Sequence, residues 1–174
     1  MTLVVVDVEA DGTVPHLYSM VSFGAVVVEE ALDKTFYGKT KPISETWIPE
    51  ALAVSGISRE EHLSYDEPKI VMENFREWLS ENTKGKAIFI SDNLAFDWQW
   101  INYYFHRFVG KNPFGFSGRR IGDLYAGMMN DMMLGSQWKK FRKTTHSHHP
   151  LDDAKGNAEA LLELRKMGLK IPLK

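Results

Sequence analysis

Three short stretches of this sequence carry side chains whose type and spacing could hold a metal ion and move a proton. The first is Asp7-Val8-Glu9. In an extended chain, residues i and i+2 project from the same face. Both carboxylates therefore aim together, at the end of a Leu- and Val-rich run where an unpaired charge is costly. A hard divalent cation such as Mg²⁺ or Mn²⁺, which prefers carboxylate oxygens, would offset that cost. Taken alone, the pair is better read as a strand emerging into solvent. The second stretch is Asn93-Leu94-Ala95-Phe96-Asp97, directly after the apolar run Ala87-Ile88-Phe89-Ile90. Asp97 falls in the first turn of the helix that follows, where an acid also favours the helix dipole. Asp92 or Asn93 is the better cap, so capping does not require Asp97. The third is His148-His149-Pro150-Leu151-Asp152-Asp153, just before the last helix. A histidine beside a metal carboxylate can act as general base because its ordinary pKa lies near neutrality. A lone histidine, however, is more often a surface or core residue without chemistry.

The elements that would position these groups follow from patterning. Thr2 to Glu9 is β-branched and apolar without helical period, and reads as a buried strand. Met20 to Glu30 and Lys34 to Lys41 read as further strands, and the short Asp-, Gly- and Pro-rich turns between them favour antiparallel neighbours. Pro49 to Glu61 holds a short helix, a turn at Ser55-Gly56, and a second start at Ser58, whose spacing to Glu61 is that of a capping box. Helical spacing recurs in Glu67 to Glu81 through Ile70, Val71, Phe75, Trp78 and Leu79. Lys86 to Ser91 is a fourth strand, Leu94 to Phe108 an aromatic-rich helix, and Ile121 to Leu134 another helix. A final helix runs from about Leu151 to Met167 and stops at Gly168. Gly135 to His149 shows no periodicity, and loops of that length are more often functional than connective. Three strands in succession, then helices alternating with a further strand, predict an α/β fold: a mixed sheet covered by helices.

Composition narrows the class. The chain of 174 residues, 44% hydrophobic and 25% charged, fits one globular domain spanning 1–174. It has no cysteine, which excludes disulfides, thiol nucleophiles and Cys-ligated zinc and suits a reducing cytoplasm. The longest apolar run, Met20 to Val28, is too short to span a bilayer, and no signal-peptide pattern opens the chain. A net charge of −2 does not advertise nucleic-acid binding. Yet a metal-dependent nuclease gathers carboxylates at its centre and needs basic groups only along the approach. Lys139, Lys140, Arg142 and Lys143, interleaved with Trp138 and Phe141, form one such patch, or else a solvated loop. Among the aromatics, Phe75, Trp78 and Tyr104 read as core. Trp98, Trp138 and Phe141 have polar or basic neighbours and are candidates for base stacking.

The order of the three stretches carries more than any one of them. Asp-x-Glu on the first strand, Asn-x-x-Phe-Asp after a later strand, and His-x-x-x-x-Asp before the final helix resemble the exonuclease motifs of the DEDDh family. That family includes polymerase proofreading exonucleases, oligoribonuclease and RNase T. Ser22-Phe23-Gly24-Ala25-Val26 is similar to its second strand, Ser55-Gly56-Ile57-Ser58 to its His-Gly-Ile-Thr turn, and Ile121-Gly122-Asp123-Leu124 to its Ile-Asp-Thr-Leu segment. The resemblance implies a ribonuclease-H-like fold with three antiparallel strands, and two Mg²⁺ or Mn²⁺ ions held by Asp7, Glu9, Asp97 and Asp153. It implies His148 rather than His149 as general base, and Asp153 rather than Asp152 as ligand, by the five-residue offset. The activity implied is 3′→5′ removal of nucleoside 5′-monophosphates from single-stranded nucleic acid, RNA slightly ahead of DNA. Asn93, Ala10, Trp98, Trp138 and Lys140 are the substrate-binding candidates, and a homodimer is the assembly common among freestanding relatives. Asp11-Gly12 stands where many relatives have Thr-Gly, a departure that bears on how the terminal nucleotide sits.

Two rival readings are weighed against this one. A zinc hydrolase could use His146, His148 and His149 with Asp152, although no His-x-x-x-His helix pairing appears. A non-catalytic 3′-end-binding module would keep the fold without the chemistry, but binding alone does not need a costly acidic cluster.

Overall fold

The computed structural model describes residues 1–173. Five strands form one sheet in the order β3-β2-β1-β4-β5. They are β1 (Thr2–Ala10), β2 (Met20–Val27), β3 (Thr35–Lys39), β4 (Ala87–Ser91) and β5 (Gly118–Arg120). The first three are antiparallel neighbours, while β4 runs parallel to β1 and β5 parallel to β4. The helices are α1 (Pro49–Val54), α2 (Arg59–Leu63), α3 (Pro68–Asn82), α4 (Leu94–Phe108), α5 (Ile121–Met129) and α6 (Pro150–Lys166). Among the described residues no helix is long and apolar enough to cross a membrane.

β1 shows why the sheet is central. Its side chains alternate between two apolar layers, as a strand buried on both faces must. Val4, Val6 and Val8 pack with Phe75, Trp100 and Phe105 on the side of α3 and α4. Leu3 and Val5 pack with Ile121, Ala154, Ala158 and Leu161 on the side of α5 and α6. Asp7 and Glu9 continue the second series, so the alternation that builds the core also aims both acids at the α6 face.

Several boundaries differ from the sequence reading. The second strand ends at Val27 instead of Glu30, and the third spans only Thr35–Lys39. The helix expected over Ile121 to Leu134 stops at Met129, because Asn130 turns left-handed (φ 51°) and a separate 3-10 turn covers Met132–Leu134. A second 3-10 turn, Gln137–Phe141, occupies the stretch expected to be irregular. Ser58 caps α2 as its spacing predicts, accepting from the Glu61 N–H at 3.1 Å.

Candidate active site

The acids meet where β1 and β4 part. The parallel pairing of these strands ends at Val5 with Ile90. Beyond that point β1 keeps β2 on one side but has lost β4 on the other, and the Val8 N–H on that side needs a partner. Asp97, in the first turn of α4, supplies one: its Oδ1 accepts from that N–H at 3.1 Å. Its Oδ2 is buried and makes no hydrogen bond of good geometry, although the Ser91 hydroxyl lies close enough to favour the ionised carboxyl. A buried carboxylate oxygen left open is unusual enough to call for a ligand. Asn93, at the N-cap position of α4, makes no side-chain cap bond and lies exposed at the site's edge.

The third acid arrives because a glycine lets it. Asp7 is paired across the sheet with Gly24 of β2. A Cβ on Gly24 would lie 2.4 Å from the Leu151 backbone and from the Pro150 carbonyl oxygen, so only glycine admits the start of α6 so close to the sheet. That approach carries Asp153, buried in the first turn of α6, to the β1 acids. Asp7, Glu9 and Asp153 each offer an oxygen within 4.8 Å of the others. Asp153 is also tied to its own approach loop. Its Oδ1 accepts from the Ser147 N–H at 3.2 Å, and its Oδ2 from the His148 N–H at 3.0 Å. His148 has a left-handed backbone (φ 58°), and its Nδ1 lies 3.8 Å from Glu9 Oε1.

Burial and crowding make the ionised forms of Asp7, Asp97 and Glu9 costly. Burial, followed by the neighbouring charges of Asp97, Asp153 and Glu9, pushes the Asp7 carboxyl well above the ordinary carboxylate range, with Arg142 acting in the opposite sense. Burial pushes Asp97 up as well. Glu9 rises to about 7, through burial first and the charge of Asp153 second. A divalent cation would lower that cost, because a positive charge beside these carboxyls favours their ionised forms.

Arg142 is the nearest compensating charge. Its guanidinium donates to Asn157 Oδ1 and lies 3.5 Å from Asp92 Oδ2, with Lys139 Nζ 2.7 Å from the same oxygen. Sequence reasoning placed Arg142 in a surface patch; the structure places it nine-tenths buried beside the acids. Asp11 also points inward. It is fully buried, ion-paired to Arg59 at 2.8 Å, and accepts from the Ser19 N–H, so it braces the loop after β1. No local signal in the sequence links Asp11 to Arg59.

Not every candidate reaches the site's surface. Trp138 is fully buried, packed in the core layer of α5 and α6, and cannot stack on a base. A single large apolar ring anchors that 3-10 turn while Gln137 before it and Lys139 and Lys140 after it stay exposed. Phe141 packs partly against the same layer, and Trp98 edge-on to Phe89 at 5.2 Å. The side chain of Ala10 belongs to the core. Lys140 is exposed over the Phe141 ring. The zinc quartet of the rival reading does not assemble as such. His149 packs against Tyr37 with Nδ1 3.5 Å from Asp152, whereas His146 and His148 turn toward Asp153.

Comparison with known proteins agrees with this geometry. The model of the Rv2179c-like 3′–5′ exoribonuclease domain matches residues 2–164. The chain belongs to that family. It is also 38% identical over 173 residues to the 3′–5′ DNA exonuclease Cap18 of Escherichia coli, covering 95% of this chain and 92% of that protein. In structure it is similar to the nuclease domain of 3′hExo, a DEDDh family member solved bound to rAMP. The TM-score is 0.79 at 17% identity, covering 98% of this chain and 94% of the other. A full-length 3′-exonuclease superimposes with TM-score 0.77 at 16% identity, over 98% and 84% of the two chains. These likenesses place the fold among ribonuclease-H-like exonucleases, and family membership makes the chain a 3′–5′ exonuclease, a phosphodiester hydrolase.

Proposed function

We propose that this chain is a single metal-dependent exonuclease domain that shortens single-stranded nucleic acid from a free 3′ end, with Asp7, Glu9, Asp97 and Asp153 as metal ligands and His148 as general base. The observation that carries the reading is the meeting of three carboxylates within 4.8 Å beside the unpartnered Asp97 Oδ2. The donor set is all oxygen, which suits Mg²⁺ or Mn²⁺, and four carboxylates are enough to share between two ions. When bound, such ions polarise the scissile phosphate and stabilise the entering and leaving oxygens of an in-line displacement.

The chain's own groups supply the rest. His148, half exposed and with Nδ1 3.8 Å from Glu9, takes the proton of an attacking water. Water adds to phosphorus as the bond to the 3′-oxygen breaks, and the product is a nucleoside 5′-monophosphate. Exposed Asn93, which opens the helix that carries Asp97, and exposed Lys140 are the side chains we assign to substrate. The family description names RNA and the curated relative acts on DNA, so the substrate we propose is the single-stranded 3′ end that both polymers offer. The absence of cysteine suits a reducing cytoplasm, which belongs to the same proposal.

The test uses matched single-stranded RNA and DNA carrying a 5′ label, with Mn²⁺, Mg²⁺ or chelator. A ladder shortened from the 3′ end that disappears with chelator is the expected result. Internal cuts in a circular substrate would overturn the exonuclease assignment in favour of an endonuclease of the same fold. Tight 3′-end binding without turnover in Mn²⁺ would favour a binding module instead.

A further inference from the structure

The proposed mechanism uses one of the three histidines in the loop before α6 and leaves His146 without a task. Its position is not that of an idle surface residue. His146 Nδ1 lies 2.7 Å from Asp153 Oδ1, and its ring stands edge to face with that of His148, centroids 4.3 Å apart. His146, His148 and Asp153 each present a ligand atom within 4.8 Å of the other two. This donor set differs in kind from the carboxylate cluster it adjoins, because two of its three atoms are imidazole nitrogens.

We propose that His146, His148 and Asp153 form an inhibitory site for a zinc-class cation, which silences the exonuclease by taking up His148 and one oxygen of Asp153. Two nitrogens and a carboxylate oxygen, with a fourth position left to water, make a donor set that zinc accepts. Metal–ligand bonds of about 2.0–2.2 Å set tetrahedral donors about 3.3 Å apart. The present spacing requires movements of only about 1–1.5 Å from side chains that are half exposed, at 51% for His146 and 50% for His148. The anchor of the site is already fixed. Asp153 is buried, and the Ser147 and His148 N–H groups hold the loop against its two oxygens. The left-handed turn at His148 is uncommon for a residue with a Cβ, and it belongs to the segment that sets the two rings face to edge.

Selectivity follows from the donors. Mg²⁺ dehydrates reluctantly and prefers oxygen, and Mn²⁺ stands at the weak end of the divalent series for nitrogen-containing sites, well below zinc. Zinc therefore binds the histidine pair at concentrations where the working metals do not. A coordinated imidazole nitrogen has no lone pair left for a proton, and an Asp153 oxygen held by zinc is withdrawn from the carboxylate cluster. His149 takes no part, since it packs against Tyr37. The silencing rests on the reading of His148 as general base; the binding site does not.

The experiment has two arms. Metal-free protein is titrated with Zn²⁺ against a chromophoric chelator, using wild type, His146→Ala and His149→Ala. The same proteins then trim a 5′-labelled single strand in Mg²⁺ with increasing free Zn²⁺, each rate normalised to that protein's own zinc-free rate. Wild type and His149→Ala should bind one zinc and lose activity together. His146→Ala should bind at least about 10-fold more weakly and need correspondingly more zinc for inhibition, because even outer partners of zinc ligands are worth 10- to 100-fold. Unchanged zinc affinity and inhibition in His146→Ala would overturn the site. So would a wild type that binds no zinc. Zinc binding that depends on His146 in a protein that trims nothing in Mg²⁺ or Mn²⁺ would support the site and overturn the exonuclease reading.

Discussion

The reasoning about the site turns on Gly24, so Gly24→Ala is its sharpest test. The added methyl would sit 2.4 Å from Leu151 Cα, Leu151 N and the Pro150 carbonyl oxygen, against an ordinary contact of at least 3.4 Å. All three atoms are backbone, so no rotamer change relieves the clash, and the start of α6 must retreat by about 1 Å. Overpacking of this kind typically costs about 1–3 kcal/mol. In a chain of this size that lowers Tm by roughly 2–12 °C. Asp153 rides on the first turn of α6, so the same retreat opens its distance to Asp7 and Glu9. A misplacement of about 1 Å at a reacting centre is worth about 100-fold in rate. The measurements are thermal melts in chelator and the initial rate of 3′ shortening in saturating Mn²⁺. Gly127→Ala is the control, because a Cβ there meets nothing within 4 Å and alanine favours a helix by up to about 1 kcal/mol. If Gly24→Ala keeps its melting temperature and a rate within about threefold of wild type, α6 is not seated on β2 as described.

His148→Ala should cost at least about 100-fold in rate and His149→Ala much less, as a single-turnover assay in Mn²⁺ would read; equal losses would mean the third motif is mis-registered. Asp7→Asn should abolish activity while raising the melting temperature of the metal-free protein, since it replaces a carboxyl whose ionisation burial and the neighbouring acids disfavour; Mn²⁺ should then stabilise wild type far more than the variant. Glu9, raised to about 7 from its ordinary 4.5, binds a proton in the folded state that the unfolded chain releases from about pH 4.5 upward, so its contribution is lost as pH rises through about 7 and metal-free stability should still be falling between about 6.5 and 7.5. Below that window buried His62, lowered to about 4, works in the opposite direction, which is why melts of metal-free protein should be compared above it. Trp138→Ala should destabilise by about 3–5 kcal/mol, as core aromatic deletions do, with substrate affinity of the surviving fold unchanged; a normal melt with weakened substrate binding would restore Trp138 to the surface.

What the sequence made legible was whatever a local period or an ordered spacing could encode. The strand character of Thr2 to Ala10 is written in its Val and Leu residues, and the two-residue step from Asp7 to Glu9 puts both on one face without further information. β5 was not legible. Gly118–Arg120 is three residues long and polar, and it is a strand only because it pairs with Phe89–Ser91. Trp138 misled for a related reason. Its neighbours in sequence are a glutamine and two lysines, and a 3-10 turn can bury one ring while exposing the residues beside it, so local polarity says little about that position. Arg142 and His146 carried no period at all; their relations to Asp92, Asn157 and Asp153 exist only once the loop before α6 has folded back.

The site also explains why its acids sit on three different elements. Two carboxylates on one strand share a face but stand apart along it, and a third from the same strand would point into the core or lie farther along. Convergence needs chain from elsewhere, brought to the end of β1 by packing. α4 comes because β4 stops pairing and leaves the Val8 N–H to the Asp97 carboxylate. α6 comes because Gly24 leaves room. Each approach is driven by a contact that would form without any ion, and each brings a charge that burial disfavours. The core layers on both faces of β1 supply the stability that tolerates this, with Arg142 offsetting part of the repulsion at Asp7. A substitution that loosens either approach should therefore relieve charge strain locally while it removes activity. Asp7→Asn separates the two effects, because it relieves the charge and leaves both contacts in place.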